Sequence, residues 1–235
     1  MSSNDVSVVL VHGAWADGSS WSKIIAPLAA DGTVVLAPPL PLTTFQDDVA
    51  ALDRALERAP GPVVLAGHAY AVIAATSNAK VKALVYIAAL VPDEGETVAD
   101  VFYRGESHPL APRLAPDDHG LIYLPDTGFR TAFAQNATAE EHAVLAAVQR
   151  PISPACITVA VPRPLWKDHP SWFLVAEQDR MIVPANQRFM AEPMQAQVHA
   201  HAVDHTPIVT APSIVLHVLR EAIAAVKSDS PTYQP

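Results

Sequence analysis

The residues around position 69 have the layout of a turn that presents a reactive side chain. An apolar, β-branched run over residues 63–66 ends in Gly67-His68, and a helix-like segment follows Ala69 and Tyr70. This is the arrangement of the strand–turn–helix motif Gly-x-Ser-x-Gly, which raises its central side chain above a sheet. Here the raised position is Ala69, which has neither oxygen nor sulfur. The turn therefore lacks a nucleophile, although the start of the helix would still direct backbone N–H groups at the same point.

Three further stretches carry side chains suited to acid–base or hydrogen-bonding chemistry. Each follows an apolar run of the kind that forms a buried strand, and they are His12-Gly13, Asp179 and Asp204-His205. The chain order is turn, acid and then histidine, which is the order of the catalytic groups in one common parallel-sheet fold.

These four motifs together resemble the α/β-hydrolase fold, and in particular its esterase and hydroxynitrile-lyase group. The resemblance runs from about residue 6 to about residue 226, so it covers nearly the whole chain. It implies an α/β fold in which a mostly parallel sheet is flanked by helices, with a cap inserted above the site.

The resemblance also implies roles for individual residues. His205 matches the catalytic base, and Asp179 matches the acid that fixes its tautomer and stabilises the imidazolium. Asp204 is the weaker candidate for this acid because it merely neighbours the histidine in sequence. The backbone N–H groups of Ala14 and Tyr70 match the two donors of an oxyanion hole.

The turn departs from the resembling group in more than the missing serine. The glycine expected two positions later is Ala71, and the stretch after Tyr70 is two residues shorter than the usual Gly-His-Ser-Tyr-Gly-Gly-Ala-Val-Ile. Three origins fit this pattern: a natural non-hydrolytic member, an engineered replacement of serine by alanine, or a sequence from which residues have been dropped.

Two kinds of function remain compatible with these residues. An enzyme without the serine would use His205 and Asp179 for general-base chemistry with no acyl-enzyme, as a hydrolase or a lyase acting on a small organic substrate. The alternative is a non-catalytic protein that binds a small molecule on the same fold. Retention of both His205 and Asp179 favours the enzyme, because a binder needs no aligned base.

Apolar periodicity predicts alternating strands and helices, as parallel sheets require. The predicted strands are 6–11, 33–37, 63–66, 83–88, 172–176 and 197–203, and the predicted helices are 21–30, 43–59, 69–78, 185–191 and 213–227. Thr43 and Gln46 are predicted to form a capping box at the start of the second helix.

A proline-rich stretch over about residues 92–167 interrupts this alternation. Helices are predicted at 95–103 and 138–147, the second opened by Thr138 and Glu141. Structureless loops of this length are uncommon, so we expect the stretch to be a cap within one domain spanning residues 1–235. Aromatic residues near the expected pocket mouth, with Trp15, Tyr123 and Trp166 as the predicted substrate contacts, indicate an apolar pocket.

Composition limits the partners. The net charge of −9 argues against nucleic acid and anionic membranes, and the apolar runs are too short to span a bilayer. We expect a cytoplasmic protein, because the N-terminus shows no signal peptide and the single cysteine, Cys156, is expected to be a packed thiol. No phosphate-binding glycine loop is present, so no cofactor is expected. Whether the chain forms a homodimer stays open.

Metal binding is also not expected from the sequence. His199 and His201 would face the same side of a strand, because side chains two residues apart do so. A transition-metal site normally needs further ligands, and the resemblance offers none.

Overall fold

A computed structural model describes residues 6–70 and 78–229. Its centre is a six-stranded, all-parallel sheet with the strand order β2-β1-β3-β4-β5-β6. The strands are β1 (Ser7–Val11), β2 (Val34–Leu36), β3 (Val63–His68), β4 (Val81–Ile87), β5 (Ser171–Ala176) and β6 (Gln197–His201). The α/β fold predicted from the sequence is therefore confirmed.

The strands form because β-branched and other apolar residues are buried on both faces of the sheet. Every residue of β1, β3 and β5 is buried, as expected of strands covered by helices on both sides. The edge strands β2 and β6 are more accessible, and β6 carries the polar residues His199 and His201.

Helices connect the strands and cover both faces of the sheet. The α-helices are α1 (Ser22–Ala30), α2 (Phe45–Arg58), α3 (Val98–Phe102), α4 (Asp126–Gly128), α5 (Ala139–Val148), α6 (Pro184–Ala191), α7 (Pro207–Thr210) and α8 (Pro212–Asp229). Short 3-10 turns lie at Gly18–Trp21, Pro154–Cys156 and Leu165–Lys167, and a π-helical turn lies at Phe129–Phe133.

Most predicted element boundaries agree with the observed ones to within two or three residues. The predicted capping box of α2 is wrong, since the N-cap is Thr44, whose hydroxyl accepts a hydrogen bond from the Asp47 amide. The Thr43 hydroxyl instead donates a hydrogen bond to the Asp47 carboxylate. The capping box of Thr138 and Glu141 at α5 is confirmed. The helix predicted at 69–78 falls mainly outside the described residues, as does Ala71.

The stretch 92–167 enters between β4 and β5 and folds back against the body of the protein. It contains α3, α4, α5 and the π-helical turn, and its strand-like contacts are isolated bridges such as Thr97 with Ala160. Phe129 and Phe133 of the π-helical turn are fully buried in the same core as the sheet. The stretch is therefore packed structure rather than a solvated loop.

Within the described ranges, no helix is both long enough and apolar enough to cross a bilayer.

Candidate active site

The predicted site residues meet at the carboxyl ends of neighbouring parallel strands. Ala14 follows β1, Ala69 follows β3, Asp179 follows β5 and His205 follows β6. Ligands of open parallel sheets bind at this edge, because the loops that leave the strands all converge there.

The turn after β3 has the strained backbone that a raised side chain requires. Ala69 adopts a φ of 60°, which is uncommon for a residue other than glycine. Its amide donates to the Ile87 carbonyl at 3.2 Å, and its carbonyl accepts from the Leu90 amide at 2.8 Å. These two bonds anchor the strained residue to the chain around the end of β4.

The two predicted oxyanion donors differ in their availability. The Tyr70 amide donates to the His68 carbonyl at 2.7 Å. To stabilise an oxyanion as well, its N–H would have to donate to the His68 carbonyl and to the substrate at the same time. The Ala14 amide has no hydrogen-bond partner within the described part of the chain. The loop after β1 approaches the turn at Ala69 closely because Gly13 has no side chain. A Cβ at Gly13 would lie 2.8 Å from the Ala69 Cβ and 2.9 Å from the His68 carbonyl oxygen.

The loop that carries Ala14 is fixed from both sides. His12 is fully buried, and its Nε2 accepts from the Leu40 amide at 2.9 Å while its Nδ1 donates to the Gly13 carbonyl at 2.9 Å. Burial lowers the pKa of His12, which keeps the ring neutral for this pair of roles. On the other side, the Trp15 indole donates to the Ile122 carbonyl at 2.9 Å.

His205 and Asp179 are hydrogen-bonded as expected. The His205 Nδ1 lies 2.8 Å from the Asp179 Oδ2, and both side chains are almost completely buried. Because the carboxylate accepts the proton on Nδ1, the Nε2 of neutral His205 carries a lone pair. His205 also lines a cavity, so this lone pair is the base that the site offers.

The Asp179 carboxylate receives three further hydrogen bonds. Its Oδ1 accepts from the amides of Met181 at 2.7 Å and Ile182 at 2.9 Å, and its Oδ2 accepts from Gln187 at 2.8 Å. Gln187 also donates to the Ile182 carbonyl and accepts from the Ala176 amide. This residue was not predicted, because a glutamine inside a helix gives no sequence signal of its own.

The backbone and ring of His205 are held by residues of two other segments. The His68 Nε2 donates to the His205 carbonyl at 2.7 Å, and the Phe133 ring centroid lies 5.2 Å from that of His205. The next residue, Thr206, donates to the Phe133 carbonyl. Phe133 was also missed by the sequence analysis, although it belongs to the stretch predicted to form the cap.

Asp204 and Glu177, the carboxylates nearest to His205 and Asp179 in sequence, form hydrogen bonds and ion pairs with other residues. Asp204 accepts from the amides of Thr206 and Asn136 and from the Thr210 hydroxyl, so it anchors the start of α7. Glu177 forms an exposed ion pair with Arg188.

The cavity beside His205 is small and almost entirely apolar. Its volume is about 70 Å³, which is room for a few water-sized groups. Its wall consists of Ala14, Trp15, Ala69, Tyr70, Leu90, Val98, Phe102, Tyr103, Leu114, Ile122, Ile152, Ile157, Met181, Ile182 and His205.

A wider groove of about 480 Å³ lies next to this cavity. The two spaces share the wall residues Phe102, Tyr103, Leu114 and Met181. The groove adds polar and charged residues, among them His108 and Arg113, so a ligand could place an apolar end inside and a polar end outside.

Two of the three predicted substrate contacts are not part of the cavity wall. Trp15 lines it, but the Tyr123 side chain is 47% exposed and points away, because its neighbour Ile122 occupies the inward position. Trp166 is buried in the 3-10 turn Leu165–Lys167, with the Lys167 ammonium 5.4 Å from its ring centroid. Phe102 and Tyr103, at the end of α3, do line the cavity.

Comparison with known proteins identifies the family and the fold of the chain. The alpha/beta hydrolase family matches the sequence over residues 8–217, which includes every strand except the first residue of β1. The chain belongs to the alpha/beta hydrolase family. Comparison with curated proteins finds no significant match.

Solved structures of other alpha/beta hydrolases share the fold at low identity. Polyneuridine aldehyde esterase superposes with a TM-score of 0.74 at 18% identity, over 92% of this chain and 98% of that one. A pyrethroid hydrolase from Sphingobium faniae gives 0.74 at 20% identity, over 97% and 100%. Tomato methylketone synthase I, as an H243A variant with beta-ketoheptanoate, gives 0.79 at 18% identity, over 94% and 99%.

Proposed function

We propose that this protein is a hydrolase of small, largely apolar esters that works without a covalent intermediate. The observation that carries the proposal is the pairing of His205 with Asp179 at 2.8 Å beside an apolar cavity whose wall includes Ala69. A buried, oriented base is present at the place where the nucleophile is absent.

The reaction follows from the position of each group. With Nδ1 bonded to Asp179, the His205 Nε2 takes a proton from a water molecule, whose oxygen attacks the ester carbonyl carbon. The carbonyl oxygen becomes an oxyanion and accepts a hydrogen bond from the Ala14 amide, a type of contact worth on the order of 3 kcal/mol in the transition state. The intermediate then breaks its C–O bond to the leaving alkoxide, which takes the proton from the imidazolium and departs as the alcohol, so that the carboxylic acid and neutral His205 remain.

Other groups near the cavity are poor nucleophiles. The Cys156 thiol is buried, and burial together with Asp48 raises its pKa to about 12. The Tyr70 hydroxyl donates to the Cys156 carbonyl at 3.2 Å, and burial raises its pKa far above the ordinary value. An acyl-enzyme on either residue is therefore unfavourable, and we propose water as the nucleophile.

The segment 92–167 is proposed to act as the cap that selects the substrate. It supplies Val98, Phe102, Leu114, Ile122 and Ile152 to the wall of the cavity. Because these side chains are apolar and the cavity is small, they favour a short acyl chain over a long or charged one.

A second candidate reaction is the decarboxylation of a β-keto acid. The absence of a nucleophile favours it, and tomato methylketone synthase I, which shares the fold, has been solved with beta-ketoheptanoate. Loss of CO₂ would pass the electron pair of the broken C–C bond into the ketone. The resulting enolate oxygen would be stabilised by the Ala14 amide, and a proton from water or from the His205 imidazolium would complete the methyl ketone.

A substrate panel separates these functions. The native chain and a His205→Ala variant would be supplied with p-nitrophenyl esters of increasing acyl length and, separately, with beta-ketoheptanoate. We expect p-nitrophenol release that depends on His205 and is fastest for the shortest acyl chains. Release of 2-hexanone with no ester hydrolysis would favour decarboxylation. Saturable binding of these compounds with no product from any of them would favour a binding protein and contradict both enzymatic proposals.

A further inference from the structure

A second cluster of chemically active side chains lies away from the cavity, between the sheet edge and the last helix. It consists of His199 on β6 and of His217 and Glu221 on α8. None of the three lines the cavity beside His205. We name this group the β6–α8 cluster.

The three side chains converge because two kinds of regular structure meet there. His217 and Glu221 are four residues apart on α8, which places them on the same face of the helix. The edge strand β6 presents His199 to the same point. Only the tertiary fold brings His199 next to the two residues of α8. The sequence pattern His199-x-His201 alone therefore did not predict a metal site.

The ligand atoms are already close to a metal-binding arrangement. The His199 Nε2 lies 2.9 Å from one Glu221 oxygen, and the His217 Nε2 lies 3.1 Å from the other. With one ligand atom taken from each of the three residues, these atoms all lie within 4.8 Å of one another. Tetrahedral zinc with bonds of about 2.0–2.1 Å separates its nitrogen and oxygen ligands by about 3.3 Å. Small side-chain rotations would therefore suffice.

We propose that the β6–α8 cluster binds a divalent transition-metal ion of the zinc type, with water in the remaining position. Two imidazoles and one carboxylate are the ligand set that zinc accepts in sites with an open position. Without metal, the Nε2 atoms of both imidazoles lie in ion-pair range of the Glu221 carboxylate. A neutral imidazole that carries its proton on Nδ1 offers the Nε2 lone pair as the ligand.

The accessibility of the cluster fits exchange of the ion with solvent. The side chain of His217 is 64% exposed, that of Glu221 is 35% exposed and that of His199 is 21% exposed. A bound ion would link the edge strand to α8, and would stabilise the folded chain because the unfolded chain does not hold these ligands together.

Zinc titration of the full-length, tag-free chain tests this proposal directly. Calorimetry on the native chain should show one saturable site. His217→Ala and Glu221→Gln should each weaken zinc binding by roughly tenfold or more, since loss of even an outer-shell partner costs that much. The matched control is His201→Ala, which removes a histidine from the same strand without touching the cluster and should leave the affinity unchanged.

Two further readouts keep the test independent of ester hydrolysis. At one fixed zinc concentration, zinc should raise the unfolding temperatures of the native chain and of His201→Ala by equal amounts, and that of His217→Ala by less. Cobalt should give the visible absorption of a low-coordinate site with nitrogen and oxygen ligands, without a thiolate charge-transfer band. An absence of saturable zinc binding, unchanged affinity in both cluster variants, or loss of binding in His201→Ala would each overturn the proposal.

Discussion

His68 donates a hydrogen bond from its ring to the backbone carbonyl of His205, with 2.7 Å between Nε2 and oxygen. The residue just before the turn at Ala69 therefore fixes the backbone of the proposed base. His68 is completely buried, and burial, followed by repulsion from His205, lowers its pKa to about 3. The buried His68 ring is therefore neutral in the folded protein near neutral pH.

This burial predicts a loss of stability in acid. Between its ordinary value of 6.5 and about 3, His68 is protonated in the unfolded chain but neutral in the folded one. The unfolded state then binds more protons, so the free energy of unfolding falls as the pH falls, by up to about 1.4 kcal/mol per pH unit for one such group.

Urea unfolding across this pH range, on the native chain and on His68→Gln, measures the effect. Glutamine can donate to the His205 carbonyl but does not titrate, so the variant should lose less stability in acid. His12, whose pKa burial also lowers, contributes equally to both chains. Parallel pH dependences for the two proteins would show that His68 is not the buried neutral group described.

Gln187 is predicted to position Asp179 without contacting the substrate. Gln187→Met keeps the side-chain length but leaves the Ala176 amide and the Ile182 carbonyl without this partner, at a cost of about 1–3 kcal/mol for each group. We expect a lower unfolding temperature and a lower kcat for ester hydrolysis with little change in KM. Arg188→Met, which removes only an exposed ion pair on the same helix, should alter neither. Unchanged kcat in Gln187→Met would rule out the positioning role.

Gly13 is predicted to tolerate no side chain. A methyl group there would meet both the Ala69 Cβ and the His68 carbonyl at under 3 Å, so the loop carrying the Ala14 amide would have to move. Gly13→Ala should lower ester hydrolysis more than it lowers the unfolding temperature. Gly105→Ala is the control, because nothing lies within 4 Å of its added Cβ. Equal activities in the two variants would mean that the Ala14 loop does not contribute to catalysis.

Ala69→Ser is predicted to increase ester hydrolysis. The turn already has the required φ of 60°, and His205 lines the same cavity, so one hydroxyl adds the missing nucleophile. We expect a gain on the order of 10²-fold, well below the ~10⁶-fold effect of a complete set of catalytic groups, because the Tyr70 amide is engaged by His68. The gain should disappear in Ala69→Ser/His205→Ala. No gain would mean that the turn does not aim the serine at His205.

The parts of the molecule that the sequence predicted are those fixed by local patterns. Parallel strands give continuous apolar runs, and chain order places Asp179 and His205 at neighbouring strand ends, so their hydrogen bond could be expected. The capping box of Thr138 could be predicted because it depends on residues three apart.

The parts that the sequence did not predict depend on how separate elements pack together. Gln187 reaches Asp179 only because α6 folds back beneath the acid loop, and Phe133 reaches His205 only because a π-helical turn packs against it. Tyr123 was assigned to the pocket by its residue type, whereas the local extended backbone turns Ile122 inward instead. His199 meets α8 through the tertiary fold alone.

Base catalysis by His205 is tested by comparing p-nitrophenyl acetate hydrolysis by the native chain and by His205→Ala, with His119→Ala as a surface control. We expect the native chain to hydrolyse the ester steadily, without an initial burst and without an acyl adduct in the mass of the intact protein. His205→Ala should lose about 10²–10⁴-fold in kcat/KM, as expected for removal of a general base, while His119→Ala retains full activity. Equal rates for the native chain and His205→Ala, or an acylated native protein, would contradict the proposal.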